Sequence, residues 1–222
     1  ALAAVLHLEG AEPVSPALTE LDSFYAMGVR SIGPLWSRPN AFGTGVPFSF
    51  PGSPDQGTGL TDAGKALVTA CDQMNILLDV SHLNEAGFWD IARLSQQPLL
   101  ASHSNAHALC PSPRNLTDRQ LDAIAEQGGI VGVCFATAYL RADGAKQPDT
   151  ELELIIRQLD YLITRLGEDH VGLGSDFDGA VLPSSLQKCT YLPDLVWQMK
   201  QAGFDEALIG KICSDNWLAY LN

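Results

Sequence analysis

The stretch ILLDVSH, Ile76 to His82, decides how the rest of the chain is read. Ile76, Leu77, Leu78 and Val80 form a short, nearly unbroken apolar run, the pattern of a strand buried on both faces. The run ends abruptly in Ser81 and His82. The same design recurs at Pro98 to Ala101, which ends in Ser102-His103-Ser104. Ala3 to Leu8 ends in Glu9, and Val171 to Gly174 ends in Ser175-Asp176-Phe177-Asp178-Gly179. Two further runs, Ser31 to Leu35 and Ile130 to Phe135, complete six.

Amphipathic helical segments separate these runs. Ser15-Pro16 reads as an N-cap with proline at the first helical position, and Gly28 as the stop. Thr117 with Gln120 reads as a capping box ended by Gly128, and Thr150 with Glu153 as a second. Behind Thr150, Leu152, Ile155, Ile156, Leu159, Leu162, Ile163 and Leu166 share one stripe at helical spacing, closed by Gly167. Strand followed by helix six times predicts parallel pairing with right-handed crossovers. Periodicity leaves two architectures open, a doubly wound sheet and a barrel with two units missing. Polar residues at the carboxyl ends of several strands mark the active-site face of either.

Two histidines, a glutamate and one or two aspartates in such places are imidazole and oxygen donors suited to Zn²⁺ or a similar divalent ion. Each has an ordinary alternative. Glu9 could be a solvated strand-end carboxylate, and His82 or His103 singly a hydrogen-bonded structural residue; as a pair in a Ser-His context they point to ligation. Of Asp176 and Asp178, one is expected to be functional and the other to bind the turn at Gly179. His107 reads equally as a neighbour of the site or a plain loop residue. His170 reads as structural, and His7, which shares a face with Glu9, as a buried, satisfied histidine. No GxGxxG, Walker loop or GxSxG elbow is present, so neither a nucleotide cofactor nor a serine nucleophile has support.

The connection Trp36 to Leu60 is long and rich in glycine and proline, and it carries Phe42, Phe48 and Phe50. It is expected to be an ordered loop that packs on the body. Composition fits one core, with 46% hydrophobic and 18% charged residues over 222. Residues 1–222 therefore read as a single domain. Thirteen basic against 26 acidic residues give a net charge of −13. That charge disfavours nucleic acid and anionic membranes as partners. Five scattered cysteines without a CxxC pair read as reduced thiols in a cytoplasmic protein. The opening ALAAVLHLEG has no basic region, and its apolar run is too short to span a membrane, so no targeting signal is read.

Leu60 to His82, Ala101 to Leu121 (ASHSNAHALCPSPRNLTDRQL), His170 to Gly179, LHLEG at the start and KICSDNWLAYL at the end together resemble the membrane (renal) dipeptidases. The resemblance runs over essentially the whole chain, with its motifs in the family's order. It implies an α/β fold of (β/α)8 TIM-type metallo-hydrolase class, present here as about six βα units and lacking its N-terminal strands. It also implies zinc-dependent hydrolysis of dipeptides by a hydroxide bridging two zinc ions. Carried over, Glu9 is the bridging ligand and His82 and His103 complete one metal. Arg114 resembles the arginine that holds the substrate's free carboxylate, and a guanidinium fork suits that role. Asp176 resembles the aspartate that meets the substrate's amino end and moves a proton. Two departures stand out. The family's His-x-Asp pair for the other metal does not occur, so one ion or none is expected in this chain. Trp36 stands where many members carry a histidine facing the oxyanion, and indole donates one hydrogen bond without becoming cationic. Trp36 is thus expected to line the substrate site. The expected partner is a small dipeptide, with a homodimer as an open state of assembly. Two other readings stay open: an amidohydrolase for another small amide or lactam, and an inactive truncated chain.

Overall fold

The structure is a computed structural model that describes residues 4–221; the Ala3 end of the first expected strand lies outside them. The chain runs β1 (Leu6–Glu9), α1 (Leu21–Ala26), β2 (Val29–Gly33), β3 (Pro39–Asn40), β4 (Gly43–Thr44), α2 (Asp62–Met74), β5 (Leu77–Leu78), α3 (Glu85–Leu94), β6 (Leu100–Ala101), α4 (Asp118–Glu126), β7 (Ile130–Val133), α5 (Thr137–Leu140), α6 (Glu153–Leu166), β8 (Val171–Leu173), α7 (Leu192–Gln201), α8 (Glu206–Gly210) and α9 (Asn216–Tyr220). A π-helical turn, Lys211–Asp215, joins the last two helices.

All six expected runs contain strands, and these pair in parallel in two groups, β1-β2-β5 and β6-β7-β8. A parallel bridge between Asp79 and Leu100 joins the groups, with the Val80 N–H donating to the Leu100 carbonyl at 2.7 Å. The strands therefore follow one another in chain order. A doubly wound sheet reverses its order at a switch point, and no reversal occurs here. The result is an arc of βα units wound in one direction. Among the described residues β8 does not pair with β1, so the arc is not closed.

Burial follows the helical stripe. On α6, Ile155, Ile156, Leu159, Leu162 and Leu166 are buried, each contributing roughly 1.5–3 kcal/mol. The β7 strand is buried throughout. By contrast β1 is largely exposed, with Leu6 at 52%. The expectation of burial on both faces fails there because β1 lies at the edge of the arc, hydrogen-bonded only to β2 among the described residues.

Several local signals are corrected. Ser15 does not cap α1; its hydroxyl meets Thr19 and its N–H donates to the Glu20 side chain, making a tight turn ahead of a helix that begins at Leu21. Thr150 does not cap α6 either, since its hydroxyl donates to the Gln147 carbonyl. The Thr117–Gln120 box is present, with Gln120 accepting the Thr117 N–H at 2.9 Å. The long connection is ordered: Phe42 is fully buried, β3 and β4 form a small hairpin within it, and Val46 donates to the His82 carbonyl at 2.8 Å. The five cysteines are free. None of the described helices is long and apolar enough to cross a membrane.

Candidate metal centre

The site lies beyond the carboxyl ends of the strands. Glu9 is the last residue of β1, and Gly10 then turns the chain away with φ +92°. His82 follows β5 and His103 follows β6. Ser102 is seated by two glycines on the neighbouring strands. A Cβ on Gly132 or on Gly174 would lie 2.1 Å from the Ser102 carbonyl oxygen. Only residues without side chains there let β7 and β8 close over that backbone and carry His103 inward.

Three donor atoms converge. His82 Nε2 lies 2.9 Å from Glu9 Oε1, His103 Nε2 lies 3.1 Å from the same oxygen, and the two imidazole nitrogens are 3.0 Å apart. Donors bound at ~2.0–2.1 Å around a tetrahedral ion stand about 3.3 Å from one another. The observed triangle is close to that size, and its nitrogen–nitrogen–oxygen set suits zinc. Among the described residues this is the one grouping of three such side chains. The residues present therefore fit a single divalent cation.

The electrostatics match. The His103 and His82 imidazoles against it hold the Glu9 carboxyl far below the usual carboxylate range, outweighing the opposing effect of its burial. Burial, with the Arg114 charge nearby, pushes His82 down to about 3, so its ring is neutral near pH 7. Neutral imidazole and ionised carboxylate are the forms that bind metals.

Each imidazole is also held from behind. His82 Nδ1 meets the Ser37 hydroxyl at 2.8 Å, and His103 Nδ1 meets the Ser102 hydroxyl at 2.7 Å. Ser102 in turn donates to the buried Asp79 carboxylate. Burial alone would raise Asp79, but His7, His103 and the Ser102 hydrogen bonds outweigh it and keep the group ionised. His7 is exposed rather than buried. Its ring meets Ser31 at 3.0 Å and stands 3.7 Å from Asp79, and it is not one of the three converging donors.

Glu9 and His82 form part of the floor of a cavity of about 400 Å³, whose walls include Trp36, Phe48, Tyr139, Lys146, Asp176 and Asp178. Trp36 stacks edge-on against Phe48, with ring centres 5.1 Å apart, and lies 5.9 Å from the His82 ring. Burial raises the Asp176 carboxyl, only partly offset by His103 and Arg114. Asp178 is exposed at the rim. His82, Asp176 and Asp178 all adopt left-handed backbone, at φ +71°, +58° and +64°. Such residues cost roughly 1–3 kcal/mol each and gather at functional sites.

Arg114, the expected holder of the substrate's carboxylate, is buried close to His103. It is 3% exposed and lies behind the cavity wall, its guanidinium 5.4 Å from the Tyr139 ring centre. It donates to the His103 carbonyl at 3.1 Å, its Nε has no partner, and it forms no ion pair among the described residues. His107 is a loop tie, bonded to the Gly52 carbonyl at 2.8 Å, and His170 is bonded to the Gly129 carbonyl at 2.7 Å. Sequence reasoning missed Ser37, Phe48, Tyr139 and Lys146. Phe48 had a signal, an aromatic in a glycine-rich loop; Lys146 had none.

The chain is similar to several known proteins. The family model described as membrane dipeptidase, peptidase family M19, matches residues 1–221. An uncharacterized protein in the pqqA 5′ region of Klebsiella pneumoniae is 53% identical over 220 residues, covering 99% of this chain and 81% of that protein. A metallo peptidase from Rhodobacter sphaeroides, solved with a phosphinate mimic of the dipeptide L-Ala-D-Ala, is 55% identical with a TM-score of 0.96. The match covers 98% of this chain but 62% of that one, so this chain spans less than two thirds of it. The probable dipeptidase PvdM from Pseudomonas aeruginosa is 25% identical with a TM-score of 0.87, over 97% of this chain and 68% of its own. With a family model matched along nearly its whole length, the chain belongs to the membrane dipeptidase family, peptidase family M19.

Proposed function

We propose that the protein is a metallo-dipeptidase in which Glu9, His82 and His103 hold a zinc ion and the adjoining cavity takes a dipeptide. The observation that carries this reading is the triangle of Glu9 Oε1, His82 Nε2 and His103 Nε2, with sides of 2.9–3.1 Å, at the base of a cavity sized for a small molecule. The arc of βα units is read as six of the eight in a (β/α)8 barrel, whose chemistry belongs to this face. A divalent ion supplies Lewis acidity toward a carbonyl oxygen and lowers the pKa of water.

The chain's own residues do the rest. Asp176, which lines the cavity together with Glu9 and His82, takes the proton from the water that adds to the peptide carbon. It returns that proton to the leaving nitrogen as the C–N bond breaks. A carboxyl raised by burial is suited to both halves of that transfer. In its ionised form Asp176 also faces the substrate's ammonium group. The Trp36 and Phe48 rings exclude water from one side, and Trp36 can donate one hydrogen bond but carries no charge where an imidazole could. Arg114, a buried cation without a carboxylate partner, biases the site toward a substrate bearing a free carboxylate.

Zinc uptake and turnover of Gly-Leu test the reading together, with N-acetyl-Gly-Leu alongside. A dipeptidase binds zinc through the three residues, hydrolyses the free dipeptide and leaves the acetylated one. Preferential hydrolysis of the acetylated compound would assign the site to an N-acyl amidohydrolase. Zinc uptake without turnover of either would leave a binding site and remove the peptidase reading.

A further inference from the structure

On the reading of Glu9, His82 and His103 as metal ligands, we infer that Asp79, acting through the Ser102 hydroxyl, dictates which nitrogen of His103 is bare and so makes that ring a ligand. The Asp79 side chain is 1% exposed. Its Oδ1 accepts the Ser81 N–H at 3.0 Å and the Ser102 N–H at 2.9 Å, and its Oδ2 accepts the Ser102 hydroxyl. A carboxylate surrounded by donors is an acceptor only. The single Ser102 hydroxyl hydrogen is therefore committed to Asp79.

Toward His103 Nδ1, 2.7 Å away, Ser102 can then only accept. The ring hydrogen then belongs on Nδ1, and with a cation seated among the three donors Nε2 turns its lone pair to it. The backbone holds the ring in that direction. The His103 N–H donates to the Ser81 hydroxyl at 3.2 Å, and its carbonyl accepts from Arg114 at 3.1 Å. A carboxylate that orients a ligating histidine is a common device in metal sites; here a serine hydroxyl is interposed between the two. His82 lacks the arrangement, because no carboxylate stands behind Ser37 among the described residues. Asp79 and Ser102 are thus positioning residues, and the assignment concerns the direction of a hydrogen-bond chain rather than a charge change.

Asp79→Asn reverses that chain. The two backbone N–H groups fix the amide oxygen on their side, so the amide nitrogen faces Ser102 and donates to it. Ser102 must then donate to His103 Nδ1, and the ring hydrogen moves to Nε2. The experiment measures zinc affinity by chelator competition, and the 15N resonances of His103 with and without zinc, on the whole chain. The zinc-loaded parent is expected to carry the His103 hydrogen on Nδ1. Asp79→Asn is expected to show a bare Nδ1 and a zinc Kd raised ~10–100-fold, the usual effect of losing such a partner. Ser102→Ala weakens zinc binding through loss of the link, and Ser102→Thr, which keeps the hydroxyl, restores it. This serine pair carries the test if Asp79→Asn fails to fold. Unchanged zinc affinity in Asp79→Asn and Ser102→Ala, or a zinc-loaded parent with the His103 hydrogen on Nε2, would overturn the inference. A parent that takes up no zinc would overturn the metal-site reading itself, and the resonances would still report whether Asp79 sets the tautomer.

Discussion

His82 and His103 come from the same sequence device and are held by different physics. Each follows a short parallel strand, each is preceded by a serine, each turns Nε2 toward Glu9 and each rests Nδ1 on a serine hydroxyl. His82 reaches its place through a left-handed backbone at φ +71° and is closed in by the long loop, through Ser37, Trp36, Phe48 and the Val46 N–H. His103 has no such backbone strain and leans on a chain of hydrogen bonds that ends in a buried carboxylate. One ligand is held by local strain and a loop, the other by a network within the strands. The loop-held ligand should tolerate loss of its serine, and the network-held one should not.

The largest effect tests what the two share. His82→Ala and His103→Ala are each expected to abolish zinc binding, since two remaining donors are too few for a stable site. The loss should exceed the ~10–100-fold of outer partners. Metal per chain, measured by mass spectrometry on folded protein, checks this. Zinc retained by one variant and lost by the other would mean that the two histidines are not equivalent ligands.

Next in size is Asp176→Asn, at a residue that lines the same cavity as Glu9 and His82. Turnover is expected to fall roughly 10²–10⁴-fold with zinc content unchanged, the usual range for losing a proton-transfer group. The sign for stability is opposite. A carboxyl whose folded pKa is raised holds its proton more tightly in the folded state, so its ionised form at neutral pH works against folding. The asparagine variant should therefore melt no lower than the parent. For the same reason the parent's turnover should decline on the acid side at a pH above the ordinary aspartate range. A pH profile and thermal melts check both statements, and an acid limb at the ordinary aspartate value would remove Asp176 from the proton transfer.

The contrast between the histidines also shows which parts of the molecule are legible in sequence. The strands were, because unbroken apolar runs ending in Glu9, His82, His103 and Asp176 carry both the pairing mode and the face. The Ser-His context marked both histidines, yet the partners of those serines were not readable, since Ser102 finds Asp79 only once adjacent strands are in register. Arg114 was legible as an arginine resembling a carboxylate holder, but its burial beside the Tyr139 ring was not, since spacing along a loop carries no depth. Thr150 and Ser15 had the right residue types for caps, but nearer polar groups took their hydrogen bonds. Exposure of β1 was not readable, because an edge and a centre strand share the same apolar pattern.

Arg114→Lys comes third. The charge survives, while the planar fork and the contact with the His103 carbonyl change. The Michaelis constant for Gly-Leu is expected to rise roughly tenfold, with a modest fall in melting temperature because the residue is buried. Steady-state kinetics beside thermal melts separate the two effects. A fall in melting temperature with an unchanged Michaelis constant would make Arg114 a brace for His103 alone.

The smallest effect is the one that most directly separates the two histidines. Ser37→Ala removes the hydroxyl 2.8 Å from His82 Nδ1. That nitrogen faces a half-buried serine on the long loop, so a water molecule can replace the lost partner at small cost. The ring stays confined by Trp36, Phe48 and its own left-handed backbone, so little orientation is lost with the hydrogen bond. Zinc affinity is therefore expected to fall by no more than ~10-fold, the low end of the range for outer partners, and by less than in Ser102→Ala. Chelator competition on both variants under one buffer decides it. Equal losses would show that each serine serves merely as a generic partner, and that the carboxylate behind Ser102 adds nothing to how its histidine is held.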